Sequence, residues 1–207
     1  MTTASTNPPK PRFNLQAAIQ NFGPAVILFV LLAIAASMSD VFLTERNLMN
    51  VLRQVSGTGL MAVGMLFVIL TRGIDLSVGS VSALGSVVSA LWVQQMMPGA
   101  AVGLTMLVGA TVGLCSGLLI AFLKLPSFVT TLAAMTIARG AALIASNGQP
   151  IRMGKAGDTI TYFGAGSFAS VPWPVWLMGT VFVLAGVVLT FTRFGRMVNA
   201  IGSNAEA

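Results

Sequence analysis

The sequence contains no histidine, one cysteine and only five acidic residues among 207. No disulfide framework, zinc site or Cys/His nucleophile pair is possible within one such chain. Cys115 sits inside an apolar run, where a small packing role is expected of it. Charge of either sign is scarce: 8% of residues are charged, against roughly 25% in ordinary soluble domains. A chain so poor in charge cannot cover itself with a solvated surface. Carboxylates are absent from the middle of every long apolar run, which argues against a proton- or sodium-coupled carrier, since proton relays use acids deep in the membrane.

What is present is apolar. Hydrophobic residues make up 56% of the chain and the mean hydropathy is +0.89, the profile of an integral membrane protein whose first partner is the lipid bilayer. Eleven basic residues give a net charge of +6. In a soluble protein that excess would suggest nucleic acid. Here the cations stand singly at the ends of apolar runs, with no basic cluster interleaved with aromatics, so nucleic acid is not an expected partner. They read as topology signals.

The organising stretch is Leu60–Gly85, LMAVGMLFVILTRGIDLSVGSVSALG. Two apolar runs flank a short polar break that holds Arg72 and Asp75. Non-helical backbone at membrane depth is tolerated only against protein or along a cavity, which makes the chain a transport or channel candidate. Arg72 and Asp75, three apart, are expected either to form an ion pair that fixes the loop or to act as a gating element at the cytoplasmic mouth.

An all-α polytopic fold with about six transmembrane helices follows from the run lengths. Residues 1–20 read as a cytoplasmic tail leading into a short interfacial helix. Residues 21–192 read as the transmembrane domain, and 193–207 as a cytoplasmic segment. The spans are Phe22–Ser39 (uncleaved, despite the Ala33-Ile34-Ala35 resemblance to a signal-peptidase site), Val51–Thr71, Ser77–Val93, Ala101–Leu123, Phe128–Ser146 and one from Trp173 to near Thr192. Asn147–Val171 is the long loop, placed outside. Trp173 and Trp176 open the last span at the outer interface, where indoles concentrate. Lys10, Arg12, Arg72, Lys124, Arg193 and Arg196 fall inside, and Arg46, Arg53, Arg152 and Lys155 outside, a bias that favours both ends in the cytoplasm.

Small residues recur at four-residue spacing: Gly109, Gly113 and Gly117; Thr130, Ala134, Ala138, Ala142 and Ser146; Ser82, Ser86 and Ala90. Such ridges let membrane helices approach closely, as plain packing or as a wall around a solute path. Arg139 lies within the fifth span, where a central arginine costs about 2.5–3.5 kcal/mol. It either snorkels outward or faces a polar cavity. No nucleotide site is present: Gly154-Lys155 is followed by Ala156 rather than Ser or Thr, and Gln149 stands where a phosphate loop needs glycine. No cofactor is expected on the chain itself.

The segments MAVGMLFVILTRGIDLSVGSVSALG, KLPSFVTTLAAMTIARG, NGQPI and FGRMVNAIGSNAEA closely resemble the permease subunits of ribose/xylose-type ABC sugar importers, in the family's order. The resemblance implies a type II importer permease of roughly ten spans, of which this chain would be the N-terminal part, ending just after the cytoplasmic coupling loop. It implies a bacterial inner-membrane subunit, not an enzyme, working as a homodimer. A periplasmic sugar-binding protein would deliver a pentose or hexose, and a partner ATPase would supply ATP hydrolysis. The matching coupling residues are Phe194, Gly195, Arg196, Ala200, Ile201, Gly202, Asn204 and Glu206, with Gly202, Ser203 and Asn204 expected to make a turn and helix cap. Path residues are expected among Arg72, Asp75, Ser77, Thr130, Thr131 and Arg139. A secondary carrier and a non-transporting remnant or assembly factor are the competing readings.

Overall fold

A computed structural model describes the backbone of residues 15–203 and the side chains of residues 23–203. Asn204 and Glu206, like Lys10 and Arg12, lie outside the residues described at side-chain level. Two compact units are distinguished, Met1–Leu48 and Met49–Ala207.

In the first unit, α1 (Leu15–Met38) begins before the expected tail boundary and carries Pro24 inside it. A proline there removes one helical hydrogen bond. A tight turn follows: the Asn47 amide side chain donates to the Phe42 carbonyl at 2.8 Å, and Thr44 Oγ1 accepts from Asn47 N at 3.4 Å. Thr44 thus caps α2 (Glu45–Leu70), which starts six residues ahead of the expected Val51.

The remaining spans follow hydropathy closely. They are α3 (Val78–Trp92), α4 (Pro98–Leu123), α5 (Ser127–Ser146) and α7 (Trp173–Phe191). Helices α2, α4, α5 and α7 are long and apolar enough to cross a membrane, and Gly23–Met38 and α3 are shorter apolar helices. The 15 residues of α3 reach only about 22 Å, less than the roughly 30 Å hydrocarbon core. The non-helical stretch before α3 makes up length that the helix lacks.

Helix ends obey local chemistry. Pro98 opens α4 at a position where its missing N–H costs nothing. Lys124 closes α4 in the left-handed region, ahead of Pro126. Asn147 (φ 50°) and Gly148 (φ 68°) close α5, with the Gly148 N–H on the Leu143 carbonyl at 2.9 Å; this satisfies a carbonyl the helix leaves free.

The expected long loop is structured. A 3₁₀ turn (Lys155–Gly157) leads into α6 (Asp158–Ala165), then β1 (Ser167–Phe168) pairs antiparallel with β2 (Val171–Pro172). Ala169 and Ser170 both have positive φ, at 51° and 66°, the geometry of a two-residue hairpin turn.

Helix α3 packs on both α4 and α5, and α7 packs on α6 and α8 (Arg193–Ser203). The small ridge of α5 behaves as expected, with Thr130, Ala138 and Ala142 buried. The glycine ridge of α4 takes the other of the two expected forms: Gly113 and Gly117 are exposed and wall two clefts rather than a helix contact. Cys115 is exposed on α4, so the expected packing role is not seen within this chain.

Candidate functional site: the break between α2 and α3 and the clefts around it

After Leu70 the chain turns at Thr71 and Arg72 and runs without helix through Gly73–Ser77. The side chains of Arg72, Asp75 and Ser77 and the backbone of Ile74 have definite partners. Asp75 Oδ1 accepts from the Ser77 N–H and from Ser77 Oγ, both at 2.7 Å. The carboxylate therefore fixes Ser77, the residue at which α3 begins, by holding both its N–H and its hydroxyl. Ile74 N–H donates to Ser127 Oγ at 3.2 Å, and Thr131 Oγ1 donates to the Ile74 carbonyl at 3.2 Å. Both backbone groups of Ile74 are thus held by the first turns of α5.

Arg72 and Asp75 do not hold each other. The Arg72 guanidinium donates to the Ser203 carbonyl at 3.2 Å, at the C-terminal end of α8, while Asp75 is engaged by Ser77. The ion pair expected from their spacing is replaced by two separate tasks. Arg72, at φ 60°, is the left-handed residue that closes α2, with its N–H on the Ile69 carbonyl at 2.9 Å.

Asp75 borders two clefts. One, of about 480 Å³, runs between α3 and α4; its lining includes Ser77, Ser82, Ser86, Ser89 and Thr105 with Asp75 at one end. The other, of about 460 Å³, lies under the break and includes Arg72, Asp75, Ser116, Ser127, Thr131 and Ile201. Hydroxyls thus line a groove in otherwise apolar helices. Thr105 Oγ1 bridges the helices, donating to the Gly85 carbonyl at 3.3 Å as well as to the Ala101 carbonyl at 2.9 Å.

The candidate path residues divide accordingly. Arg72, Asp75, Ser77 and Thr131 converge on the break. Thr130 is buried but its hydroxyl returns to its own helix, on the Pro126 carbonyl at 3.2 Å. Arg139 is exposed on α5 and lines neither cleft. Ser82 and Ser86, part of the small ridge of α3, line the α3–α4 cleft; Ser127 and Thr105 join the site without a clear sequence signal, apart from the Lys-Leu-Pro turn that places Ser127 at a helix start.

The candidate coupling residues from Phe194 to Gly202 lie in α8; Asn204 and Glu206 lie outside the described residues. Thr192 caps α8, Oγ1 accepting from the Gly195 N–H at 3.1 Å. Gly195 packs against the Val188 and Leu189 carbonyls of α7, leaving no room for a Cβ. Phe194, Met197, Val198 and Ile201 share one apolar stripe, with Val198 buried, and Arg193, Arg196 and Ala200 lie exposed beyond it. Such a face suits a helix lying along a membrane surface. Phe194 meets Phe67 of α2 with ring centroids 6.0 Å apart. The expected turn at Gly202 is absent: Gly202 is helical, and a Cβ there would collide with the Leu70 carbonyl. Its small size serves close approach of α8 to α2.

Residues 47–207 match the model of the family described as the branched-chain amino acid transport system / permease component. The chain belongs to this permease family. It is an all-α polytopic membrane protein, and the family is one of transport components, not enzymes. Among curated relatives, the ribose import permease protein RbsC of Escherichia coli (strain K12) is 39% identical over 199 residues, covering 95% of this chain and 62% of the relative. RbsC of Bacillus subtilis (strain 168) is 40% identical over 208 residues, covering 100% of this chain and 65% of the relative. The L-arabinose ABC transporter permease protein AraH of Azospirillum brasilense is 35% identical over 207 residues, covering 99% and 60%. The chain thus spans about three fifths of the length of these relatives. No solved structure matches it.

Proposed function

We propose that the chain forms part of the permease subunit of an ATP-driven importer of a pentose or hexose, working as a pair of copies in a bacterial inner membrane. The observation that carries the substrate class is the α3–α4 cleft, where five hydroxyl side chains and one carboxylate line a groove between membrane helices. Hydroxyls and a carboxylate offer the hydrogen-bonding surface a polyhydroxy solute needs, and no cation lines this cleft to hold an anion. The sugar permeases among its relatives support the same class.

In this reading residues 1–20 are a cytoplasmic tail, 21–192 the membrane domain and 193–207 the segment that meets the ATPase. The break and α8 face the cytoplasm, where Arg72, Lys124, Arg193 and Arg196 agree with positive charge inside. The hairpin faces outward, toward a solute-binding protein. Asp75 and Ser77 serve the path directly, Thr131 serves it through its hold on the Ile74 carbonyl, and Thr130 supports it through packing. The exposed stripe and cations of α8 offer the ATPase an apolar and basic surface; Asn204 and Glu206 continue that segment.

The test is uptake of labelled D-ribose and L-arabinose by proteoliposomes holding the intact transporter with its ATPase and solute-binding protein. Accumulation that requires ATP is expected. Accumulation driven by a proton gradient without any ATPase would establish a secondary carrier instead. Arg139→Leu is expected to change uptake less than about twofold, since the residue lines neither cleft; a severe loss would put a path along that face of α5.

A further inference from the structure

The break between α2 and α3 is attached at its two ends to different parts of the molecule. At one end Arg72 donates to the Ser203 carbonyl, where a helix C-terminus carries free carbonyls and partial negative charge. Beside it the Leu70 carbonyl is seated on Gly202. At the other end Ile74 has its N–H on Ser127 and its carbonyl on Thr131, each at 3.2 Å. The next residue, Asp75, fixes Ser77 at the start of α3 and borders both clefts.

Between these anchors lie only Gly73 and the Ile74 backbone. So short a segment has little slack, because each residue can span at most about 3.3–3.6 Å. Arg72 itself closes α2 as a left-handed C-cap residue at φ 60°, with its N–H on the Ile69 carbonyl and the Gly73 N–H on the Val68 carbonyl, both at 2.9 Å. The turn is thus fixed to the end of α2 by backbone hydrogen bonds. A shift of α8 would therefore be felt at Ile74 and Asp75 rather than being absorbed in the turn.

We propose that Arg72 is a positioning residue, the α8 end of a strut running through Gly73 and Ile74, by which movement of α8 resets Asp75 at the junction of the two clefts. The proposal rests on the reading of α8 as the ATPase contact and of the α3–α4 cleft as the solute path. Arg72 then contributes by holding α8 to the break and not by touching solute. Ser127 and Thr131 hold the strut's other end, so the three side chains should behave as one unit.

The deciding quantity is the number of D-ribose molecules accumulated per ATP hydrolysed by the intact transporter in proteoliposomes. Arg72→Ala is expected to lower this ratio by about tenfold, with part of the loss recovered in Arg72→Lys, which keeps a donor within reach of the Ser203 carbonyl. The double variant Ser127→Ala/Thr131→Val should lower the ratio similarly. Combining it with Arg72→Ala should lower it little further, because residues acting through one element are non-additive. A ratio unchanged in both sets, with uptake and hydrolysis falling together or not at all, overturns the strut. So do losses that simply multiply. If Arg72→Ala does not assemble, Arg72→Lys and the Ser127/Thr131 pair decide the matter by the same ratio. Wild-type protein that accumulates neither ribose nor L-arabinose would overturn the importer reading together with the strut, whereas wild-type uptake with unchanged ratios in the variants overturns the strut alone.

Discussion

At the α8 end of the Met49–Ala207 unit, three hydrogen bonds join residues 131, 53 and 57 positions apart in the chain: Arg72 to Ser203, Ile74 to Ser127 and Thr131 to Ile74. At the other end of α7, about 28 Å away along its 19 residues, the aromatic rings of neighbours in sequence do most of the holding. Trp173 stacks on Phe168 and meets Phe163 edge-on, with centroids 5.4 Å apart in each case, and lies 6.5 Å from Tyr162. Its indole Nε1 is buried with no hydrogen-bond partner among the described residues. The comparable polar tie at that end is Gln94 to the Arg152 carbonyl at 3.1 Å.

Directional bonds between distant elements have few alternative arrangements, so they can pass a displacement from one helix to another. Ring packing among near neighbours anchors an end of a helix at an interface, where amphipathic aromatics are at home, and it tolerates small shifts. The first end is built to transmit and the second to anchor. That contrast can be broken by substitution, in descending order of expected effect on uptake.

Gly202→Val is expected to reduce ATP-dependent D-ribose uptake by about a hundredfold, because backbone cannot yield to a β-branched side chain at the Leu70 carbonyl. Uptake per membrane-inserted molecule measures it. Asp75→Ala should reduce uptake about tenfold and, by removing the acceptor of the Ser77 N–H and hydroxyl, lower stability by about 1 kcal/mol, read as a lower unfolding midpoint in detergent. Thr131→Val should cost roughly 0.5–1.5 kcal/mol and several-fold in uptake, while Thr130→Val, whose hydroxyl bonds only within its own helix, should change uptake less than about twofold. Equal effects from the two threonines would remove the distinction between strut and packing. Trp173→Ala should lose about 2 kcal/mol of stability by leaving its ring cluster, yet keep uptake per assembled molecule. Severe uncoupling by this last change would mean that both ends transmit.

The spans were legible because hydropathy alone positions them, and their ends were nearly so because Lys124-Leu125-Pro126 and Asn147-Gly148 carry strong stop signals. Elements outside the membrane were not. Helix α6 contains Thr159-Ile160-Thr161, a β-branched run with poor helix propensity, stabilised here by packing on α7. The hairpin turns on Ala169 and Ser170, neither of them the glycine or asparagine that normally announces such a turn. Gly202 reads as a breaker in sequence, and only the proximity of Leu70 explains a helical glycine there.

The site was half legible. Arg72 and Asp75 stand out as charges in a break, and their three-residue spacing suggests a pair. The partner that decides Arg72's role, a backbone carbonyl 131 positions away, leaves no trace in side-chain chemistry. The hydroxyls of Ser82 and Ser86 look like packing residues until α4 is seen to present glycines opposite them, leaving a groove where two helices could have closed.

The most direct test of the account asks whether that groove is a water-filled path. Ser82→Cys, introduced after the exposed Cys115 is replaced by serine, would be labelled with a membrane-impermeant thiosulfonate in the assembled transporter. Labelling is expected, slowed by D-ribose and changed in rate by about fivefold or more between the nucleotide-free and ATP-bound states. A cysteine that never reacts, or reacts at one rate in every state with ribose making no difference, would contradict a solute path between α3 and α4.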